Sequence, residues 1–160
     1  MSHYRFTALS EEDTDRLGAA LAEALPAGTT VALCGTLGSG KTRLVQAIVR
    51  AYGVPPEDVT SPTFVLCQEY HGRRTVFHLD AYRIADDDEF LELGPEEYFQ
   101  SSHITIIEWA DRVERCLPDE RIQINADVTG SCSRDFEIIA IGETFKDVVD
   151  KLNSTLVSPS

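Results

Sequence analysis

The chain has 160 residues, which suits one domain with a buried core and is too short for two ordinary domains. Its net charge is -13, so its average field repels a phosphate backbone, and we expect no direct binding to nucleic acid. No stretch approaches the roughly 20 apolar residues of a membrane span, and residues 1–9 lack the apolar core of a signal peptide. We therefore expect a cytoplasmic protein that does not cross a membrane.

The first part of the chain predicts a helix, a strand and a second helix. Ser10, followed by acidic residues and by apolar positions at helical spacing, predicts a first helix that ends at Pro26. The apolar run of residues 29–34 lies between glycines and predicts a buried strand. Apolar positions over residues 44–52 predict one face of a second helix, which Gly53 ends.

The remainder predicts two hairpins, one further strand and three helices. The hairpins are residues 64–70 with 75–79 and 121–128 with 134–141, the single strand is 103–107, and the helices are 86–91, 95–99 and 143–152. Residues 1–152 are expected to form a single domain, followed by a frayed tail at residues 153–160. This order predicts an α/β protein with three layers, in which a mixed central sheet lies between helices.

Residues 35–42, which we call the phosphate loop, read GTLGSGKT and match the GxxxxGK[ST] pattern between a predicted strand and a predicted helix. Glycines let successive backbone N–H groups point at phosphates, and Lys41 supplies a full positive charge. The Thr42 hydroxyl is suited to bind Mg²⁺. The sequence therefore predicts a three-layer fold like that of P-loop NTPases and a site for ATP and Mg²⁺. The predicted nucleotide-binding residues in the loop are Thr36, Leu37, Gly38, Ser39, Gly40, Lys41 and Thr42.

Two acidic residues follow predicted strands and are candidates for the metal side of the site. Asp80 ends the second arm of the first hairpin, and Glu108 ends the most apolar strand after it. A carboxylate in such a position holds Mg²⁺ through its water shell or orients the attacking water. The alternative is a carboxylate that caps a turn or pairs with a nearby arginine. We favour Glu108 as the Walker B acid because its strand is the more apolar.

Three other residues are candidates for the site, and each has an alternative role. Thr63 follows a Ser-Pro step, and its hydroxyl either reaches the γ-phosphate or Mg²⁺, as switch segments do, or belongs to a plain proline turn. Trp109 is either a neighbour of the nucleotide or a packing residue. Arg43 either contacts phosphate or lies at the surface.

Missing motifs argue against several classes of P-loop protein. There is no NKxD segment and no DxxG after Asp80, so guanine specificity has no support, and no LSGGQ-like stretch indicates a transporter ATPase. A kinase usually needs an arginine-bearing lid, and the only adjacent basic pair, Arg73 and Arg74, lies in a tight turn. His78 and His103 lack metal-ligand spacing and are expected to be structural.

Taken in order, the motifs of residues 31–112 resemble those of the TsaE family, formerly YjeE, the bacterial ATPase component required for threonylcarbamoyl modification of adenosine in tRNA. The motifs are GTLGSGKTR at Gly35, SPTF at Ser61, EY at Glu69, HLDAYR at His78, LELG at Leu91 and IIEWADR at Ile106. The set is far more specific than the phosphate loop alone.

The resemblance implies a P-loop ATPase, weak alone, that associates with the TsaB and TsaD proteins in forming N6-threonylcarbamoyladenosine at tRNA position 37. Hydrolysis of ATP would support the turnover of that complex, and tRNA would be reached only indirectly through it. A small-molecule kinase and a nucleotide-sensing module without significant hydrolysis stay as alternatives.

The motif match also implies roles for individual residues. Lys41, Asp80 and Glu108 would be catalytic, and Trp109 would lie beside the nucleotide. The metal residues would be Thr42, Glu108 and Thr63. Arg43 departs from the family pattern, which commonly has a second threonine there, so a hydroxyl contact at that position is not expected.

Overall fold

The computed structural model describes residues 2–36, 38–59 and 67–156. They contain one seven-stranded sheet in the order β1-β7-β6-β2-β5-β4-β3. The strands are β1 (Ser2–Ala8), β2 (Thr30–Gly35), β3 (Cys67–His71), β4 (Thr75–Asp80), β5 (Ile104–Glu108), β6 (Arg121–Val128) and β7 (Arg134–Ile141). The helices are α1 (Glu11–Ala24), α2 (Lys41–Ala51), α3 (Asp87–Glu92), α4 (Pro95–Phe99) and α5 (Lys146–Thr155), with short 3-10 segments at Pro56–Asp58 and Ala110–Cys116.

The sheet is mixed, as the sequence predicts. Strands β4, β5, β2 and β6 are parallel neighbours, whereas β3 pairs antiparallel with β4, and β7 pairs antiparallel with both β6 and β1. Parallel strands place their carboxyl ends at the same edge of a sheet, and ligands of open α/β sheets bind at that edge. In this sheet, the edge at the carboxyl ends of the parallel strands carries the phosphate loop after β2 and the acidic residues at the ends of β4 and β5.

Two hydrophobic clusters lie on opposite faces of the sheet. The larger cluster packs α1, α2 and α5 on one face, and the smaller one packs α3 and the Ala110–Cys116 segment on the other. Strand β2 shows how one strand serves both faces, because Leu33 belongs to the first cluster and Ala32 to the second. This alternation confirms the three-layer arrangement.

Local signals explain the placement of α1 and its contact with α2. The Ser10 side chain accepts a hydrogen bond from the backbone N–H of Asp13, which satisfies a free donor at the start of α1. Gly18 faces Ala47 of α2 so closely that a Cβ at residue 18 would collide with the Ala47 side chain. The glycine therefore lets α1 lie against the helix that follows the phosphate loop.

The structure corrects the sequence interpretation at both ends of the chain. Strand β1 was not predicted, although Tyr4, Phe6 and Ala8 alternate with more exposed residues and the last two are buried. A frayed tail from residue 153 is wrong for residues 153–156, because α5 continues to Thr155 and Leu156 is buried. In the described part of the chain, no helix is long and apolar enough to cross a membrane.

Candidate functional site

The phosphate loop connects the carboxyl end of β2 to the start of α2. Strand β2 is the middle strand of the sheet. Gly38 and Gly40 have φ values of 77° and 95°, in the left-handed region that glycine favours. At Gly35, a Cβ would collide with the backbone oxygen of Ala126 on β6. The glycines are therefore required by the path of the loop and not only by the motif.

Lys41 is buried at the start of α2, with 5% of its surface exposed. Its Nζ donates to the backbone oxygens of Gly35 and Thr36, the latter at 3.3 Å, and lies 3.4 Å from the centroid of the Trp109 ring. Burial lowers the pKa of Lys41, and the negative charge of Glu108 opposes that shift without reversing it. The ammonium group is thus held inside the loop by carbonyl groups and an aromatic face.

Glu108 is buried at the end of β5 and accepts two hydrogen bonds. Thr42 Oγ1 donates to Glu108 Oε1 at 3.0 Å, and the Nε2 of His78, on β4, lies 2.6 Å from Oε2. Burial alone would raise the pKa of Glu108, but the hydrogen bond and charge of His78, helped by Thr42 and Lys41, lower it below its ordinary value. The side chain is therefore a carboxylate at neutral pH.

Asp80 ends β4 directly opposite Glu108 in the strand register. It is half-buried, and its Oδ1 accepts a hydrogen bond from the backbone N–H of Tyr82 at 2.9 Å. The negative charge of Asp80 also acts on Lys41. Asp80 therefore caps a turn, which is the alternative that the sequence left open for it. It also lies at the same edge of the sheet as Glu108.

Trp109 follows Glu108 and is the only non-glycine residue with a positive φ in the described part of the chain, at 59°. A left-handed conformation at such a residue costs roughly 1–2 kcal/mol, and strain of this kind clusters at functional sites. Its ring contacts Tyr82 with a centroid distance of 4.9 Å, and the guanidinium of Arg112 lies 5.3 Å from the Tyr82 centroid. Trp109 therefore combines a left-handed backbone with a ring that contacts both Tyr82 and the Lys41 ammonium group.

A pocket of about 250 Å³, which we call the loop pocket, gathers most of the predicted site. Its lining comprises Thr36, Gly38, Ser39, Gly40, Lys41, Thr42, Arg43, Glu108 and Trp109. Ser39 Oγ is buried and has no hydrogen-bond partner within the described ranges, so a polar group in the loop is left to be satisfied. The predictions at Leu37 and Thr63 fall on residues outside those ranges.

Arg43 lines the loop pocket, but its guanidinium is directed to α1. The Nε and Nη2 atoms donate to the two carboxylate oxygens of Asp15 at 3.1 and 2.8 Å, and Nη1 lies 3.3 Å from Glu11. Its surface role is therefore an ion pair between helices. The prediction that Arg43 contacts the nucleotide stays a prediction.

Two residues near the loop were missed in the sequence. His78, interpreted there as structural, is the buried partner of Glu108. Arg134, at the start of β7, donates from Nε to the backbone oxygen of Gly38 at 2.9 Å and from Nη1 to those of Gly130 and Ser133. The HLDAYR motif placed His78 two residues before Asp80, a signal that could have suggested the same face of β4, whereas no local signal connects Arg134 to a loop 96 residues away.

A second cavity, of about 530 Å³, shares the lining residues Gly40 and Arg43 with the loop pocket. We call it the side cavity. Its other walls come from the start of α1 and the two residues before it, and from the turn between β6 and β7 with the first residue of β7. They are Leu9, Ser10, Glu11, Glu12, Thr14, Ser131, Cys132 and Arg134. Pockets that hold small molecules have this range of volume.

The donor set near the loop suits a magnesium ion better than a caged transition metal. Thr42 offers a hydroxyl and Glu108 a carboxylate, and both are oxygen donors of the kind that Mg²⁺ prefers. Among the described residues, no group of three or more His, Cys, Asp or Glu side chains could enclose a metal. Magnesium is usually held by one or two protein groups together with phosphates and water, so the residues present fit it.

Comparison with known proteins gives one consistent family. The family model described as "Threonylcarbamoyl adenosine biosynthesis protein TsaE" matches residues 8–136. A tRNA threonylcarbamoyladenosine biosynthesis protein TsaE from Treponema pallidum is 35% identical over 134 residues, covering 84% of this chain and 98% of that protein. The protein of the same name from Bacillus subtilis is 30% identical over 154 residues and is covered, like this chain, to 96%.

The fold agrees with that relationship. The crystal structure of Bacillus subtilis YdiB superposes with a TM-score of 0.81 at 27% sequence identity, covering 96% of this chain and 95% of that one. The matched region includes the phosphate loop, Asp80, Glu108 and the start of β7. The chain belongs to the TsaE family.

Proposed function

We propose that this protein binds and hydrolyses ATP with Mg²⁺ at the phosphate loop, as a component of the machinery that makes threonylcarbamoyladenosine in tRNA. The observation that carries the proposal is that Glu108, at the end of β5, lies beside Lys41 and Thr42 of the phosphate loop. Thr42 Oγ1 lies 3.0 Å from Glu108 Oε1, although 66 residues separate the two in the sequence. A P-loop hydroxyl beside a strand-end carboxylate is the arrangement of ATP-hydrolysing P-loop proteins.

The loop would bind the triphosphate through its backbone N–H groups and the start of α2, where the helix dipole favours negative charge. The Ser39 hydroxyl, which is buried and unsatisfied, and the Lys41 ammonium would add side-chain donors. In the structure, Lys41 contacts two neutral carbonyl groups and the Trp109 ring. A bound phosphate would give the ammonium group a charged acceptor, which forms a stronger hydrogen bond.

Hydrolysis requires water to attack the γ-phosphorus while the bond from that phosphorus to the β–γ bridging oxygen breaks, releasing ADP and phosphate. Magnesium, when bound, neutralises charge on the β- and γ-phosphate oxygens. The Thr42 hydroxyl donates a hydrogen bond to Glu108, which leaves the lone pairs of Thr42 Oγ1 available to the metal ion. Asp80, opposite Glu108 in the register, is the second acid and is suited to orient the attacking water.

The side cavity is the proposed place of the base and ribose. Gly40 and Arg43 line both the side cavity and the loop pocket, so the two spaces are neighbours, and the proposed nucleotide extends from one to the other past these residues. Leu9, with 68% of its surface exposed, provides an apolar surface at this cavity, and Ser10 and Glu11 provide polar groups. Small-molecule pockets commonly combine an apolar wall with a few polar groups.

The proposed partners are TsaB and TsaD, on the basis of family membership. The net charge of -13 supports a role through protein partners, because the chain as a whole repels a phosphate backbone. Contact with tRNA is therefore proposed only through the complex. A cytoplasmic location is proposed with it.

The test is ATP hydrolysis by the purified chain, alone and with TsaB and TsaD. We expect slow release of phosphate alone and faster release with the partners. Lys41→Ala should lower both activities by weakening ATP binding, whereas Lys146→Ala, a change at an exposed lysine of α5, should leave them intact. ATP binding without hydrolysis in every mixture would instead identify a nucleotide-sensing module, and phosphate found on a small acceptor would identify a kinase.

A further inference from the structure

We propose that His78 is a positioning residue that fixes the Glu108 carboxylate, and through it the Thr42 hydroxyl, for the metal ion. The inference rests on the proposed function and extends it to a residue that the motif analysis left as structural. It starts from the contact between His78 Nε2 and Glu108 Oε2, at 2.6 Å, between side chains that are 1% and 5% exposed.

The direction of this hydrogen bond follows from the charge of Glu108. A glutamate side chain is ordinarily a carboxylate at neutral pH, and a carboxylate can only accept hydrogen bonds. The hydrogen therefore belongs to His78 Nε2. Thr42 Oγ1 must likewise donate to the other oxygen, Oε1, at 3.0 Å.

These two contacts form a chain in which each group orients the next. His78 holds Oε2, which fixes the plane of the carboxylate and directs Oε1 to Thr42. Thr42 uses its single hydrogen in that bond, so its lone pairs are available to a metal ion. Groups that orient metal ligands in this way typically contribute about 10- to 100-fold to metal affinity or activity.

The other side of the histidine ring argues against a purely structural role. His78 Nδ1 is buried and has no hydrogen-bond partner within the part of the chain that the structure describes. The ring packs near that of Tyr70, with a centroid distance of 6.3 Å. A buried polar atom without a partner costs stability, so an apolar residue would serve packing better. The contact that compensates for this cost is the one to Glu108.

The strand register explains how His78 reaches Glu108. Strands β4 and β5 are parallel, and His78 lies opposite Ile106, two residues before Glu108. Residues two apart lie on the same face of a strand, so His78 and Asp80 share the face that carries Glu108. The HLDAYR motif thus places two groups on the side of the sheet that faces α2.

Two substitutions of similar size separate the donor from the shape of the ring. His78→Gln keeps an N–H donor at nearly the reach of Nε2, whereas His78→Met fills similar space without a donor. His103→Asn is the control, because His103 contacts Phe77 with a ring-centroid distance of 5.5 Å and is not a partner of Glu108. Thermal unfolding monitors the fold of each variant, and His78→Leu replaces His78→Met if the latter does not fold.

The measurements are kcat and KM for ATP and, independently of activity, calorimetric binding of Mg²⁺ to the ADP complex. For His78→Met we expect kcat and Mg²⁺ affinity to fall by about 10- to 100-fold, while KM and ADP affinity without Mg²⁺ change by less than about threefold. His78→Gln should recover most of both losses, and His103→Asn should match the wild type.

Wild-type kcat and Mg²⁺ affinity in folded His78→Met would overturn the proposal, as would equal losses in His78→Gln and His78→Met. A wild-type protein that does not hydrolyse ATP with or without its partners would instead contradict the proposed function. In that case, the Mg²⁺ titration of the ADP complex would still decide the role of His78.

Discussion

The parallel centre of the sheet and its antiparallel flank contribute differently to this protein. Strands β2, β4 and β5 bring their carboxyl ends to one edge, where Lys41, Asp80 and Glu108 meet. Strands β6, β7 and β1 alternate in direction, and they carry surface ion pairs such as that of exposed Arg5 with half-buried Glu137. Parallel strands collect functional groups at one edge, whereas antiparallel strands distribute their ends over both edges.

One contact crosses between the two regions. Arg134, the first residue of β7, donates to the backbone oxygen of Gly38 in the phosphate loop. If the comparison holds, changes at the parallel centre should affect ATP binding and hydrolysis strongly, changes at Arg134 should do so modestly, and changes elsewhere on the flank should have little effect.

Glu108→Gln is expected to have the largest effect. The amide has an NH2 donor in place of one carboxylate oxygen, so it cannot accept from Thr42 at one terminal atom and from His78 at the other as the carboxylate does. We expect kcat to fall about 100-fold or more, while the affinity for ATP changes little. Glu137→Gln on β7 is the control. Equal hydrolysis by Glu108→Gln and the wild type would show that the parallel edge is not the catalytic site.

Lys41→Ala should have the next largest effect, on binding. Removing the ammonium group deletes a charge-assisted contact to phosphate, so we expect ATP affinity to fall about 10- to 100-fold, measured by calorimetry. The emission of Trp109 in the ligand-free protein should change as well, because Lys41 Nζ lies 3.4 Å from its ring centroid. Lys146→Ala serves as the control for a lost lysine. Unchanged affinity for ATP in the Lys41 variant would remove the basis of the site.

Arg134→Ala tests the contact that joins the flank to the loop. The variant loses the bond to Gly38 and the bonds to Gly130 and Ser133 that fix the β6–β7 turn. Because hydrogen bonds of this kind contribute about 0.5–1.5 kcal/mol, we expect a threefold to tenfold loss of ATP affinity, roughly, with kcat less affected. A loss as large as that of Lys41→Ala would mean that the flank belongs to the site itself.

Arg5→Ala should have the smallest effect. Arg5 and Glu137 lie 3.4 Å apart, and the arginine side chain is 69% exposed, so solvent screens their attraction. We expect the free energy of unfolding to change by less than about 0.5 kcal/mol and ATP hydrolysis to remain at the wild-type rate. Chemical denaturation measures the first quantity. A measurable loss of hydrolysis would contradict the division between centre and flank.

Much of the fold could be predicted because its signals are local. The N-cap at Ser10 and the buried runs of β2 and β5 depend on neighbours in the sequence, and those elements lie where they were expected. Strand β1 was not recognised, because Phe6 and Ala8 become a buried face only when β7 pairs with the strand. Its stability comes from a partner more than 100 residues away, near Ile138.

The candidate site divides in the same way. The GxxxxGK[ST] pattern indicates the roles of Lys41 and Thr42 because eight consecutive residues form the loop. The position of Arg43 could not be predicted, since its guanidinium is directed by Asp15 of another helix. His78 was assigned a structural role for the same reason, because its partner lies on a neighbouring strand.

By itself, the sequence determined that a phosphate loop lies between a strand and a helix, that acidic residues end two strands, and that the motifs are those of the TsaE family. Only the tertiary structure decided that Glu108 accepts hydrogen bonds from both Thr42 and His78, and that Arg134 reaches the loop. The physical reason is that loops and caps depend on residues adjacent in the chain, whereas these contacts depend on the order and register of strands.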